Sequence, residues 1–240
     1  MLGLGNSLTG GIVTEEVWAP TDVTGLLMWL TARAEDLTLD VAAVTTWTAR
    51  FPTDGSYAFT QATAVNKPVF DVDKVTFDAS GSDDDILLEA DTKTTLDTSA
   101  TGWTVAMQVT SSDWDGDNQV FIGEKDSNVN MLRHAVGTNT ISVKASNQFR
   151  HFTLDSGLTD NTYYHIMLTC DTSGNLVLYI DNVAQADTEF FSDATKDFIF
   201  DEIGGKNGLS QAFTGSFKEI IIFEENLSTA NRLECYNYMK

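Results

Sequence analysis

Short apolar or alternating segments, separated by Asp, Asn, Gly, Ser and Thr, follow one another along most of this chain. Segment 103–110 shows the alternation clearly, because Trp, Val, Met and Val occupy its odd-numbered positions and Thr, Ala, Gln and Thr its even-numbered ones. A period of two predicts a β-strand with one face in a core and the other face in solvent. The polar separators favour tight turns, so the pattern predicts an antiparallel sheet protein.

Later segments extend the predicted sheet. Segment 164–180 holds two alternating runs separated by the turn residues 171–175, which predicts a β-hairpin. Segment 217–223 is apolar on both faces, as is typical of a central strand in a sandwich. At the end of the chain, Ser228 is suited to cap a short helix that carries Leu233 and Tyr236 on one face.

The length and composition favour one folded domain preceded by an arm. The chain has 240 residues, of which 42% are hydrophobic and 10% aromatic, so a large core can be buried. Residues 1–20 contain four glycines and end at Pro20, which predicts an N-terminal arm that contacts its own domain or a neighbour. Residues 21–240 form the predicted domain.

The chain is strongly acidic, with 35 Asp and Glu residues, 14 Lys and Arg residues and a formal net charge of -21. An acidic surface repels phosphate groups, so we expect no nucleic-acid partner and no membrane partner. Residues 1–13 lack the pattern of a secretion signal, which predicts a protein made in a cytoplasm. Cys170 and Cys235 are too few for a disulfide framework, and we expect two buried thiols.

Local motifs follow a recognisable order over residues 24–240, with sequences such as LMWLTA, GWTV and FTGSF. They lie at 27–32, 44–47, 67–70, 75–78, 102–105, 164–166, 178–182, 203–204 and 213–217. This ordered set resembles the concanavalin A-like lectin/glucanase jelly rolls of the laminin G-like type. The resemblance implies an all-β fold, namely a concanavalin A-like antiparallel β-sandwich (jelly roll) with a short C-terminal helix.

The glycine-rich start MLGLGNSL is similar to the start of many tailed-phage virion proteins. This second resemblance implies a non-enzymatic virion structural protein, assembled in the host cytoplasm as an outer capsid decoration or a tail-associated module. Its partners would be other virion subunits, such as major capsid or tail proteins, and a homo-oligomer is compatible with that role. A carbohydrate-binding lectin that contacts surface glycans is the alternative, and a glucanase-like hydrolase is a further one.

Glycosidases of this superfamily use two carboxylates that share one face of a strand, two or four residues apart. Glu124 and Asp126 have this spacing, although Lys125 between them and the polar residues that follow indicate a turn. Glu219 lies in an apolar segment without an acidic neighbour at either spacing. We therefore expect no catalytic residues and no enzymatic activity.

Calcium is the one cofactor that the sequence brings into consideration. Asp113, Asp115 and Asp117 offer alternating carboxylates, and Gly116 between them permits a turn. The segment lacks the closing glutamate of an EF-hand, so these residues are either calcium ligands or acidic residues of a solvated loop.

Trp114 differs from the tryptophans at 29, 47 and 103 because charged residues flank it on both sides. Lectins combine an exposed aromatic face with nearby Asp and Asn acceptors for sugar hydroxyl groups. Trp114, Asp115 and Asn118 are therefore the predicted glycan contacts. The alternative is that the indole of Trp114 folds back over its own sheet.

Overall fold

The computed structural model describes residues 18–53, 55–79, 85–89, 93–116, 118–125, 129–135, 139–192, 197–206 and 211–240. The first strands in these ranges are β1 (Leu26–Thr31), β2 (Leu37–Asp40), β3 (Ala43–Thr48), β4 (Ala58–Thr60), β5 (Val69–Asp71), β6 (Lys74–Phe77), β7 (Leu87–Glu89), β8 (Thr94–Leu96) and β9 (Trp103–Ser111). The remaining strands are β10 (Gln119–Gly123), β11 (Met131–His134), β12 (Thr140–Ala145), β13 (Gln148–Thr153), β14 (Tyr164–Cys170), β15 (Asn175–Ile180), β16 (Val183–Phe190), β17 (Phe198–Phe200), β18 (Glu202–Ile203) and β19 (Gly215–Phe223). The helix α1 covers Thr229–Met239, and three short 3-10 helices lie at Pro20–Asp22, Ala34–Asp36 and Ala64–Asn66.

Apart from β8 and β17, which pair with each other in a separate two-stranded sheet, the strands form two antiparallel layers, and this confirms the predicted β-sandwich. The first layer has the order β16-β15-β14-β9-β19, and β19 then pairs with β1 along one half and with β6 along the other. The second layer runs β13-β12-β11-β10-β18-β7-β4-β3-β2. The layers are connected at one side, where β6 pairs with β5 and β5 contacts β3.

The predicted hairpin and the predicted central strand of the first layer are confirmed. β14 and β15 form the expected hairpin, with Leu168 opposite Leu178. β19 lies between β9 and β1, so it is a central strand. Its position explains why residues 220–223 are apolar on both faces, since one face meets the core and the other meets α1, whereas Lys218 and Glu219 interrupt the apolar pattern before them.

Hydrophobic side chains from both layers meet in one large core. Val105, Leu168 and Ile220 come from the first layer, and Phe121 and Val143 come from the second. All of these side chains are at most 1% exposed. Burial of each contributes about 1.5–3 kcal/mol relative to leaving it in water.

The helix α1 packs on the outer face of the first layer and forms a second, smaller hydrophobic cluster. Ser228 caps it by accepting a hydrogen bond from the backbone N–H of Asn231, as expected for the N-cap. The buried face consists of Cys235 and Met239, which pack near Ile221 of β19. Leu233, expected to share one face with Tyr236, is 44% exposed, because three-residue spacing alone does not determine which side of a short helix faces the sheet.

Two valines occupy strained turns at one end of the sandwich. Val41 and Val72 have φ angles of 61° and 60°, in the left-handed region that β-branched residues avoid. Their side chains are 97% and 83% exposed. The two turns are neighbours, because the Phe70 N–H donates to the Ala42 carbonyl at 2.8 Å.

The predicted N-terminal arm falls almost wholly outside the described residues, which begin at Trp18. The division into an arm at 1–20 and a domain at 21–240 therefore stays a prediction. Among the described helices, none combines the length and the apolar character needed to cross a membrane.

Candidate functional site

The loop between β9 and β10 holds the predicted glycan contacts, and the structure corrects the expectation for Trp114. Its indole is 2% exposed and packs edge-on against the rings of Phe121, His134 and Tyr164. The expectation of an exposed sugar-stacking face at Trp114 is therefore wrong, and the alternative of a tryptophan folded over its own sheet is confirmed. The reason is that apolar side chains from β10 and β14 offer this indole more contact than solvent does.

The polar residues of the same loop remain at the surface. Asp113 and Asp115 are exposed, and Asn118 is partly exposed. The predicted calcium ligand Asp117 lies outside the described residues, and no group of three potential metal-ligating side chains occurs within the described part of the chain. The calcium site of Asp113, Asp115 and Asp117 and the glycan contacts of Asp115 and Asn118 therefore stay predictions.

The candidate carboxylate Glu124 follows β10 and is 6% exposed. Its Oε1 lies 2.7 Å from Nζ of Lys93, and its Oε2 accepts a hydrogen bond from Asn130 at 2.8 Å. Asp126 lies outside the described residues. Because both oxygens of Glu124 are engaged, this carboxylate connects the β10–β11 hairpin to Lys93.

A group of cations lies on the outer face of β10 to β13, which sequence reasoning missed. Arg133 of β11 and Lys144 of β12 point to this face, because Leu132 and Val143 beside them point into the core. Lys206 follows β18 and is 3% exposed, while Lys144 is 8% exposed. Buried cations are rare in proteins, and this chain has few cations to place.

Lys206 reaches this face because Gly123 lets the segment after β18 approach β10 closely. A Cβ atom at Gly123 would lie 2.4 Å from the Gly205 carbonyl oxygen and 2.7 Å from Cβ of Lys206. Only glycine therefore permits the contact. Glu202 of β18 pairs with Gly123 in the ladder and is fully buried, which adds one carboxylate to the group.

An aromatic ring lies between the cations. The guanidinium carbon of Arg133 is 5.1 Å from the ring centre of Phe149, and Nζ of Lys144 is 4.8 Å from it. The ring of His151 stacks on Phe149 at 5.4 Å with an interplanar angle of 10°. Ser142 hydrogen-bonds to His151 Nδ1 at 2.8 Å. We call Arg133, Lys144, Lys206, Phe149 and His151 the cation face.

Burial and mutual repulsion shift the pKa values of these cations. Loss of solvent lowers the pKa of Arg133, Lys144 and Lys206 in each case. The charge of Arg133 lowers the pKa of Lys144 further, and both lower that of Lys206, while Glu202 partly offsets the shift at Lys206. Three positive charges held this close to one another favour the binding of an anionic or electronegative group in contact with them.

Arg133 is the member best placed to receive such a group. Its Nη1 donates to the Gln211 side chain at 2.9 Å. Its Nε–H is buried and has no hydrogen-bond acceptor among the described residues. No carboxylate of the described residues forms an ion pair with Arg133, so these residues do not neutralise its charge.

No single short motif indicates the cation face in the sequence. Arg133, Lys144 and Phe149 lie on three successive strands, and only the register brings them together, with Lys144 opposite Phe149 and Arg133 opposite Ser142. The one sequence signal is the rarity of cations in a chain with a net charge of -21. That signal does not separate this group from surface lysines elsewhere.

The fold resembles that of several solved proteins at low sequence identity. Trypanosoma rangeli sialidase in complex with sialic acid matches with a TM-score of 0.58 and 13% identity, covering 89% of this chain and 33% of the sialidase. The binding domain of botulinum neurotoxin DC in complex with rat synaptotagmin II matches with a TM-score of 0.59 and 14% identity, covering 90% of this chain and 52% of that one. This chain thus spans about a third of the sialidase and about half of the toxin domain, and the likeness establishes the fold.

A comparison with curated proteins gives no match. The laminin G-type family model described as "Concanavalin A-like lectin/glucanases superfamily" matches residues 80–231. This range includes β9 to β19, and with them the strands that carry the cation face. The chain therefore belongs to the concanavalin A-like lectin/glucanase superfamily.

Proposed function

We propose that this chain is a non-catalytic glycan-binding module and that the cation face contacts the glycan. The observation that carries the proposal is the Arg133 guanidinium, which lies over Phe149 and has no carboxylate partner among the described residues. Sugar hydroxyl and carboxylate oxygens are suitable acceptors, and an aromatic ring offers a surface to the apolar face of a sugar.

The net charge strengthens this argument. In a protein of charge -21, a local group of cations attracts anions that the rest of the surface repels. Glycans that carry carboxylate or sulfate groups suit the cation face better than neutral ones. Guanidinium groups hold such oxygens in a fixed two-bond geometry, which gives Arg133 a larger part than either lysine.

The structural neighbours give independent support for a glycan ligand. One is a sialidase in complex with sialic acid. Another is a botulinum neurotoxin type C structure, which matches this chain with 14% identity and a TM-score of 0.55. Cell entry of this toxin depends on interaction with two ganglioside molecules. At such identities the binding residues of these proteins do not transfer, so the proposal depends on the cation face of this chain.

We favour binding over catalysis because Glu124, the one described member of the candidate carboxylate pair, is held by Lys93 and Asn130. A glycosidase needs one carboxyl group free to donate a proton and a second free to attack or activate water. In Glu124, Oε1 contacts Lys93 and Oε2 contacts the amide of Asn130, so neither oxygen is free for such a step. These contacts suit a structural role.

The proposal is tested by screening the protein on an array of neutral, carboxylated and sulfated glycans. The best ligand is then titrated by calorimetry against wild type and Arg133→Ala. Loss of a charged hydrogen bond costs about 1.5–3 kcal/mol, so we expect binding to weaken about tenfold to a hundredfold. Lys74→Ala is the matched control, because Lys74 is a partly exposed cation on β6 with a salt bridge to Asp71.

Absence of any glycan ligand would refute the proposal, and so would equal affinity of the Arg133→Ala variant and wild type. Repeating the titration with calcium and then with a chelator tests the predicted ligands Asp113, Asp115 and Asp117. If calcium binds there, Asp115→Asn should lower its affinity, since a carboxylate ligand is lost.

A second candidate function, a structural role in a phage virion, is favoured by the strained valine turns. Val41 and Val72 combine unfavourable backbone angles with almost full exposure, and strain of this kind is concentrated at functional surfaces. An apolar pair at a turn suits contact with another subunit, such as a capsid or tail protein. Peptide mass spectrometry of purified virus particles tests this role, and absence of the chain from them would refute it.

A further inference from the structure

A second site lies on the opposite side of the molecule, where α1 ends on the outer face of the first layer. A pocket of about 220 Å³ opens there. Its lining residues are Thr31, Ala32, Arg33, Asp73, Lys218, Glu219 and Tyr238. These residues come from β1, β19, α1 and two turns, so the pocket depends on the complete fold.

Glu219 is the unusual residue of this pocket. It lies in β19 among isoleucines and phenylalanines and is only 9% exposed. Its Oε1 accepts a hydrogen bond from the indole Nε1–H of Trp29 at 2.5 Å. A carboxyl group in such a position destabilises the fold unless it is neutral or paired, so its presence indicates a use beyond packing.

Burial raises the pKa of Glu219 to about 7, although hydrogen bonds from Trp29 and Tyr238 and the charges of Arg33 and Arg50 offset part of the shift. Two further titratable groups near Glu219 are Cys235 and Tyr238, whose pKa values are both raised to about 12. Lys218 and Asp73 line the same pocket and pair with each other at 2.7 Å. Near neutral pH, Glu219 is therefore the carboxyl group of this pocket that changes its charge.

Arg33 is the free cation of the pocket. Its side chain is exposed and has no ion pair or hydrogen bond to any residue that the structure describes. Arg50, by contrast, pairs with Glu35 at 3.1 Å and lies over the ring of Trp29. The pocket thus offers one unpaired guanidinium group at its edge and a carboxyl group with a phenol at its base.

We propose that this pocket binds a small hydroxylated carboxylic acid. The carboxylate of the ligand meets Arg33, and the protonated Oε2 of Glu219 donates a hydrogen bond to it. Hydroxyl groups of the ligand contact Tyr238 and Asp73. The ionised form of Glu219 would repel the ligand, so the pocket takes up its ligand together with a proton.

The site is independent of the glycan proposal, because Arg33 and Glu219 lie on the first layer and the cation face lies on the second. D-glucuronate is the probe, and D-glucose is the neutral control. The indole N–H signals of the five tryptophans report binding in a two-dimensional NMR spectrum, with the Trp29 signal assigned from Trp29→Phe. Trp29 donates to Glu219, so its signal moves when the pocket is occupied.

We expect D-glucuronate, but not D-glucose, to shift the Trp29 signal at pH 5.5. Affinity should fall by up to about tenfold for each pH unit above 7, as Glu219 loses its proton. Arg33→Ala should weaken binding at least about tenfold. This variant should fold, since the Arg33 side chain is exposed.

Glu219→Gln provides the sharper test, because an amide keeps a donor and carries no charge. This variant should bind D-glucuronate equally well at pH 5.5 and pH 8.5. Arg133→Ala on the cation face should leave the Trp29 response unchanged. An unresponsive Trp29 signal at every pH, or wild-type affinity in Arg33→Ala, would overturn the proposal whatever the outcome for the glycan.

Discussion

The imidazole Nε2 of His165 lies 2.9 Å from the backbone carbonyl oxygen of Met239. His165 belongs to β14 and Met239 is the last residue of α1, so this contact ties the end of the helix to the first layer. The ring of Tyr236 adds an edge-on contact with His165 at 5.0 Å. The last carbonyl groups of a helix have no partner within the helix, and His165 supplies one.

Replacing His165 with phenylalanine should lower the free energy of unfolding by about 1–2 kcal/mol, because the contact with the Tyr236 ring remains while the contacts of Nε2 with Met239 and of Nδ1 with Asp181 are lost. Urea denaturation measures the loss, and hydrogen exchange should show faster exchange at the end of α1. His151→Phe is the matched control, because it also removes a side-chain hydrogen bond, that to Ser142, but on the second layer and away from α1. Unchanged hydrogen exchange at the end of α1 in His165→Phe, or equally fast exchange there in His151→Phe, would contradict a clamping role for His165.

The raised pKa of Glu219 predicts a pH-dependent stability. The pKa is 4.5 for the free side chain and about 7 in the folded protein, so the folded state binds the proton more tightly than the unfolded state. The stabilisation is therefore complete below about pH 4.5 and is lost as the pH rises through 7, by up to about 3 kcal/mol.

Comparison with Glu219→Gln isolates this effect, because the other carboxyl groups titrate in both proteins. The stability difference between wild type and variant should shift in favour of the variant between pH 5 and pH 8. A difference that stays constant over this range would show that Glu219 keeps one charge state throughout.

Trp103 and Trp114, two of the buried tryptophans of the core, should respond differently to phenylalanine. The Trp103 indole donates to Thr98 at 3.0 Å, whereas the Trp114 Nε1–H has no hydrogen-bond partner among the described residues. Both side chains are at most 2% exposed, so both substitutions lose packing. Trp103→Phe should cost about 1 kcal/mol more than Trp114→Phe in chemical denaturation. The reverse order would point to an unrecognised partner of Trp114.

The two cysteines should be unreactive in the native protein. Cys170 and Cys235 are buried and unpaired, and burial raises both pKa values to about 12. The thiolate is the reactive form, so iodoacetamide should label neither residue at pH 8 in buffer and both in urea. Labelling of Cys235 alone in buffer would indicate that α1 opens from the sheet.

The sequence pattern predicted the strands well where one face of a strand meets solvent. It misassigned Thr104 and Ala106 of β9, which were expected to face solvent and are at most 1% exposed. These residues face the side on which α1 and the segment before it pack, and the Leu227 N–H donates to Thr104 Oγ1. Alternation within one strand carries no information about a distant helix that covers it.

The candidate sites were harder to predict because their residues are far apart in the sequence. Trp29 and Glu219 meet only through the pairing of β1 with β19. Trp114 was misjudged for a related reason, since its charged neighbours suggested exposure while Phe121 and Tyr164 provided a buried contact. Local composition describes the chain near a residue, whereas a site depends on what the fold places opposite it.

The position of β19 also has a consequence for synthesis of the chain. β1, β6 and β9 all pair with this strand, and they leave the ribosome long before Phe223 does. Until then the nascent polypeptide carries strand edges that lack their central neighbour, a state prone to association with other chains. Formation of the sandwich must therefore wait for the last long strand, which makes folding a late event and gives chaperones that shield nascent chains a direct influence on the yield.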